Sequence, residues 1–289
     1  MDIIDPHLHL FNLEQGQYNW LKPENPPFWP DKHTINQNFS EKDLQLNNNL
    51  TLKGFVHIEA GFDNNQPWRE IAWLEKNCQR PFKTIAGINL LLGSKAFLAA
   101  VIQLKKYTCV VGVRDILDEN AVSYLSNPQV IDNLKQLAEQ QLIFELQMPV
   151  DNIEALALLT DILSSIPMLQ VVINHAGLPP NQENSSAPMN KSVWWQSLNA
   201  LSRYQQCSIK CSGFEMLNRR YDQQWQAHII MMCINAFGAQ RVMLASNFPL
   251  CLFTTSYQDY WQQLQQSILL SQAEMNDIYC LNAKRIYQF

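Results

Sequence analysis

Eight short aliphatic and β-branched runs, separated by longer stretches with helical apolar spacing, constrain this 289-residue chain more than any other feature. The runs are Ile3–His9, Lys53–Glu59, Lys83–Asn89, Cys109–Arg114, Leu142–Met148, Gln170–His175, Ser208–Ser212 and Arg241–Ser246. Between them, residues 68–77, 95–105, 128–140, 153–164, 192–204 and 225–237 place apolar side chains three and four apart, which predicts helices. Two more helices, 258–269 and 272–281, are predicted after the last strand. Strands that alternate with amphipathic helices make a parallel sheet. Eight such units, in a chain close to the usual ~250 residues, predict one closed (β/α)8 TIM barrel over residues 1–289, an α/β fold in a single domain. An open doubly wound sheet is the alternative, and the absence of a Gly-rich turn after the first strand argues against it.

Composition removes several classes of function. The net charge is -5, the sequence pI is about 5.7, and like charges do not cluster, so the basic stripe of a nucleic-acid binder is missing. No stretch approaches the ~20 apolar residues of a membrane span, and no basic, then apolar, leader opens the chain. Seven scattered cysteines without paired spacing fit reduced thiols in a cytoplasm better than disulfides or a thiolate zinc site. A small-molecule substrate is the partner this leaves, and a homodimer is compatible with it.

In such a barrel the carboxyl ends of the strands converge on one site. Asp5, His7 and His9 stand two apart on the first strand and are expected to share a face, with Ile4, Leu8 and Leu10 on the other. The later strands end in His57 and Glu59, Asn89, Arg114, Glu145 and Gln147, Asn174 or His175, Lys210 and Ser212, and Asn247. Unpaired, each of these would cost several kcal/mol to bury, so together they read as a site. Glu145 also reads as a buried partner for Lys210 or Arg114, and His57 as a partner for Glu59. His33 reads as a surface residue, His228 as structural, and Arg219 and Arg220 as solvated. The 11–52 segment is too long for an ordinary connection and too rich in Tyr18, Trp20, Phe28 and Trp29 for disorder. It is expected to be part lid and part pocket wall at the barrel mouth.

Asp5-Pro-His-Leu-His9 resembles the strand-one signature of the amidohydrolase superfamily, and the chain resembles its family 2 branch almost end to end. The motifs are Tyr18-Asn-Trp-Leu21, Val56-His-Ile-Glu59, Gly112-Val-Arg114, Asn174-His-Ala-Gly177, Lys210-Cys-Ser-Gly213 and the closing Asn282-Ala-x-Arg-x-Tyr287. The resemblance implies a hydrolase, lactonase-like, with a decarboxylase as a variant within the same branch. It implies that His7, His9 and His175 hold a divalent metal, zinc first, or stand directly against the substrate carbonyl. It implies that Arg114 forks onto a carboxylate or sugar oxygens. Trp20, Glu145, Gln147 and Ser212 are the further substrate-contact positions expected on this reading.

One motif departs. Where the family reads Gly-Ser-Asp-Trp-Pro, this chain has Ala245-Ser-Asn-Phe-Pro249. Asn247 can orient water but cannot take a proton near neutral pH, so the departure weakens the metal site and removes the expected base. Three accounts follow. Another group, with His175, Glu145 and Asp5 the candidates, serves as base. A metal supplies hydroxide directly. Or catalysis is lost and the barrel binds a small molecule.

Overall fold

The computed structural model describes residues 1–47, 49–181 and 188–289. Eight parallel strands lie side by side in sequence order. They are β1 (Asp2–Leu8), β2 (Thr51–Ile58), β3 (Phe82–Gly87), β4 (Val110–Ile116), β5 (Ile143–Gln147), β6 (Val171–Ile173), β7 (Cys207–Cys211) and β8 (Val242–Leu244). The sheet closes on itself just beyond the last strand: Leu8 bridges Phe248 in parallel, the Asn247 N–H donates to the His7 carbonyl at 2.9 Å, and the His9 N–H donates to that of Phe248 at 2.7 Å. The chain is thus a single (β/α)8 barrel, as the alternating pattern predicts.

The main helices are α1 (Trp68–Asn77), α2 (Ser94–Leu104), α3 (Ala121–Leu125), α4 (Pro128–Glu139), α5 (Ile153–Ser165) and α6 (Val193–Leu201). They continue with α7 (Phe214–Leu217), α8 (Gln223–Phe237), α9 (Tyr257–Ser267), α10 (Gln272–Asn276) and α11 (Asn282–Ile286). Several starts are fixed by side-chain caps that satisfy otherwise unpaired backbone N–H groups. Asn127 accepts from Gln129 N with Pro128 at the first helical position, Ser192 accepts from Trp195 N, and Ser256 from Asp259 N. No described helix is long and apolar enough to cross a membrane.

Two apolar cores follow from the two faces of the sheet. Leu8, Phe55, Val113, Phe144, Ile209 and Leu244 face outward against the helices. Ile4, Val56, Ile85, Val111, Ile143 and Met243 face inward and form a separate cluster with Ala283 and Tyr287 of the closing helix. Each such side chain contributes roughly 1.5–3 kcal/mol by leaving water. The inner cluster fills the end where the strands begin, so polar side chains are confined to the end where they finish.

The inward position of Ile4 overturns one expectation. Asp5 does not share a face with His7 and His9. The pairing of β1 with β2 slips between Asp5 and Leu8, around Pro6, which has no N–H to give the ladder. An extra residue reverses the side-chain alternation. Asp5 therefore turns outward. It accepts from Ser246 Oγ at 2.5 Å, Ser246 N at 3.2 Å and Tyr257 Oη of α9 at 3.2 Å, clasping the β1–β8 seam.

The long 11–52 segment folds over the barrel as three short 3-10 turns at Asn19–Leu21, Lys32–Thr34 and Glu41–Asp43. Phe11 pairs with Phe39 across it. Its centre is pinned by the buried Lys32, whose ammonium donates to the carbonyls of Trp20, Lys22 and Asn25 at 2.8, 3.0 and 2.7 Å.

Candidate active site

Three imidazoles meet at the carboxyl end of the barrel. The His7 ring centroid lies 5.2 Å from that of His9 and 4.6 Å from that of His175. All three are buried. Their pKa values fall well below the ordinary 6.5 because burial disfavours the cation, with Lys210 next in importance at His7 and Arg114 next at His9 and His175. At neutral pH the trio is uncharged.

The outer nitrogens assign the tautomers. His9 Nδ1 donates to the Ile58 carbonyl at 2.8 Å, which leaves Nε2 as its lone-pair nitrogen. His7 is the opposite case. Lys210 Nζ approaches His7 Nδ1 at 3.3 Å, and an ammonium only donates, so the His7 proton sits on Nε2. That Nε2–H is buried and has no hydrogen-bond partner in the protein. His175 Nδ1 shares a hydrogen bond with Ser212 Oγ at 3.0 Å.

Beneath the imidazoles lies a buried ion pair. Lys210 Nζ is 2.6 Å from Glu145 Oε2, and Tyr287 Oη donates to Glu145 Oε1 at 2.6 Å. Burial lowers the Lys210 pKa to about 8, against the attraction of Glu145. Glu145 therefore does not serve as the expected substrate contact: it is fully buried and its oxygens are held by Lys210 and Tyr287. Its reading as a partner of Lys210 is the one the structure bears out.

The remaining strand-end residues divide between site and scaffold. Arg114 donates through Nε to Glu59 Oε1 at 2.8 Å, through Nη1 to Gln147 Oε1 at 3.0 Å and through Nη2 to the Glu59 carbonyl at 3.0 Å. Its charge is already matched by Glu59, whose own pKa is nevertheless raised by burial. Trp20 donates its indole N–H to the Ala60 carbonyl at 2.8 Å and is half-buried in the wall of the first loop. His57 belongs to the scaffold. It pairs with Glu70 of α1 at 3.0 Å and accepts from Leu10 N, so it does not pair with Glu59. A cavity of about 650 Å³ opens beside Arg114, lined among others by Glu59, Asp63, Glu70, Asn89 and Asp115.

Two backbone features shape the centre. His175, Ala176 and Leu178 are non-glycine residues at φ 54°, 52° and 56°, and Asn247 sits at 56°. Left-handed backbone at such residues costs of order 1–3 kcal/mol each and collects at functional sites. Gly213, at φ +72°, allows the chain after β7 to pass against His175, since a Cβ there would fall 2.5 Å from His175 Nδ1.

That close pass delivers a residue the sequence pattern did not single out. Glu215 of α7 is fully buried beside Asn247, whose Nδ2 donates to Glu215 Oε1 at 2.6 Å. Its other oxygen, Oε2, has no hydrogen-bond partner in the protein. Burial raises its pKa to about 7, only partly offset by the Asn247 hydrogen bond. Arg219, expected to be solvated, instead packs against the rings of Trp29 and Phe253 with its guanidinium carbon 5.0 and 4.0 Å from their centroids. It pairs with Asp31 at 2.7 Å and donates to the Glu215 carbonyl, tying three loops together above the site. Residues 182–187, within the loop after β6, lie outside the described residues.

The sequence profile of the amidohydrolase family matches residues 4–289. The chain belongs to the amidohydrolase family. An uncharacterised protein of Sinorhizobium fredii, y4mH, is 25% identical over 299 residues, covering 99% of this chain and 98% of its own. An amidohydrolase from Burkholderia multivorans, crystallised once with HEPES and once with zinc, has the same fold at TM-scores of 0.82 and 0.81, with 18% and 17% identity and full coverage of both chains. A candidate 2-pyrone-4,6-dicarboxylic acid hydrolase from Pseudomonas putida follows at 0.69, with 18% identity over 99% of this chain and 97% of the other.

A zinc-bound relative makes the metal question concrete for this amidohydrolase. Its residues do not fit the ion. Among the described residues no three His, Cys, Asp or Glu side chains are grouped to hold a metal. In the expected set of His7, His9 and His175, His7 presents an N–H where a ligand needs a lone pair. The Lys210 ammonium behind His7 adds positive charge where a divalent cation would need negative charge. The arrangement instead offers one buried N–H donor, one lone-pair imidazole and one unpartnered carboxylate oxygen.

Proposed function

We propose that this amidohydrolase opens the lactone of a small polyhydroxylated acid by attack of water on the ring carbonyl. The observation that carries the reading is His7: a neutral imidazole that accepts from Lys210 on one nitrogen and presents an unpartnered N–H from the other. Such a preorganised, buried donor stabilises the oxyanion that forms as water adds. Lys210 lies behind it, so positive charge backs the developing negative charge. The family's usual metal is replaced here by this donor.

The state of Arg114 favours an uncharged lactone over a dicarboxylate. Glu59 already neutralises its guanidinium, and the adjoining cavity is otherwise lined by Asp115 and by Asp63 and Glu70, which pair with Arg69 and His57. A second carboxylate on the substrate would meet no unpaired cation among the lining residues, whereas hydroxyls can pair with both the carboxylates and the amides of Gln147 and Asn89. The seven unpaired cysteines support action in a reducing compartment.

Turnover of γ- and δ-lactones of aldonic acids, followed by acid release in weakly buffered indicator solution, tests the proposal. Hydrolysis by the wild type and its loss in His7→Ala, with folding intact by circular dichroism, is the expected result. Thermal shifts by the same lactones without turnover would show a binding protein instead, and carbon dioxide release from hydroxybenzoates would show a decarboxylase.

A further inference from the structure

We propose that Glu215, carried on the turn after β7, takes the proton from the attacking water, and that Asn247 holds it in place. The assignment rests on the lactone-opening reading above and adds the base that reading requires. It begins from geometry. Glu215 is fully buried, one of its oxygens is fixed by Asn247 Nδ2 at 2.6 Å, and the other has no partner in the protein. The Asn247 backbone in turn donates to the His7 carbonyl, and Gly213 lets the same turn press against His175. The carboxylate is therefore held by the two ends of the site that hold the imidazoles.

No other acid in the centre is equally placed. Asp5 faces outward to Ser246 and Tyr257, Glu145 is bound by Lys210 and Tyr287, and Glu59 is locked on Arg114. The imidazoles are poor acceptors, because burial and neighbouring cations hold them neutral well below neutral pH. A base works best with its pKa near the working pH, and Glu215 sits at about 7.

The step balances without a further reactant. Water oxygen bonds to the carbonyl carbon while one of its protons passes to Glu215 Oε2 and the carbonyl π pair moves onto oxygen at His7 Nε2–H. The tetrahedral adduct collapses, the ring C–O bond breaks, and Glu215 returns the proton to the departing alkoxide. The product is the open hydroxy acid, with one water consumed and Glu215 restored.

The groups facing this carboxyl are Asn247 and Cys251 after β8, Arg219 and Tyr221 from its own loop, and Tyr260 from α9. Burial is the main cause that moves Cys251, Tyr221 and Tyr260 up from their ordinary values. Among these groups Glu215 alone titrates near neutrality.

The test measures kcat and KM for aldonic-acid lactones against pH in the full-length wild type, Glu215→Gln and Glu215→Ala. The wild-type rate should climb with pH through about 7. Glu215→Gln should lose about 10²–10⁴-fold in kcat, the range of general acid–base catalysis, with KM little changed and the climb gone. Added formate should restore part of the rate in Glu215→Ala, which a merely structural role would not allow. A folded Glu215→Gln that keeps the wild-type rate and pH profile overturns the role of Glu215 and leaves the lactonase reading standing. A wild type inactive on every lactone overturns both.

Discussion

A base placed by burial leaves a mark on stability that is separate from any substrate. Burial moves the Glu215 carboxyl from an ordinary 4.5 to about 7. At about 1.4 kcal/mol for each pH unit, the ionised form costs the fold about 3 kcal/mol. The sign follows from proton linkage. Below 4.5 both folded and unfolded chains hold the proton and the cost is absent. Between 4.5 and about 7 only the folded chain holds it, so the native state weakens as pH rises. Above about 7 the full cost is present. Glu215→Gln keeps an oxygen to accept from Asn247 Nδ2 and cannot ionise, so it should escape this loss. Paired denaturant melts of wild type and Glu215→Gln across pH should therefore diverge. The variant should gain about 3 kcal/mol relative to the wild type between about pH 4.5 and pH 8. In thermal melts of a chain this size that is a relative rise of roughly 5–10 °C. Taking the difference cancels the other titrating groups, including Lys210 and Asp5. A stability difference that stays flat with pH, or falls, would refute the claim that the carboxyl is held in a desolvated pocket.

Two further outcomes follow from the same centre. Lys210→Met leaves Glu145 as a buried charge with only Tyr287 to meet it, and should destabilise the fold by about 3–5 kcal/mol in urea melts; a loss under 1 kcal/mol would mean that water reaches the pair. Gly213→Ala forces a Cβ against His175 Nδ1 in a left-handed backbone, and lactone turnover should fall at least about tenfold through a misplacement of Glu215 and His175, as measured by steady-state kinetics on the folded variant.

The barrel was legible because its signal is periodic and repeated. The Trp68–Asn77 helix begins and ends where the spacing placed it, and each of the eight strands falls within two or three residues of its apolar run. The histidines were legible because they sit two apart at a strand end. What was lost is what periodicity cannot carry. Asp5 was misassigned to the inner face because Pro6 interrupts the alternation in a way that pairing, not sequence, reveals. Glu215 lies on a four-residue helix, too short to show a period, and only the preceding Gly213 hints that the chain passes close to something. Arg219 reads as a surface charge in isolation, since its partners Asp31, Trp29 and Phe253 come from two distant loops. The Asp missing from strand eight drew attention to a lost carboxylate, whereas Asn247 is the hydrogen-bond donor that anchors one from the loop after β7.

The measurement that bears most directly on the central claim is lactone hydrolysis by protein treated with chelator and verified metal-free by elemental analysis. If hydrolysis rests on the His7 N–H and not on an ion, as proposed, the metal-free wild type should turn over aldonic-acid lactones at the untreated rate while His7→Ala does not. Activity that vanishes with the metal and returns with added zinc would contradict the account, because His7 would then have to be a ligand and not a donor.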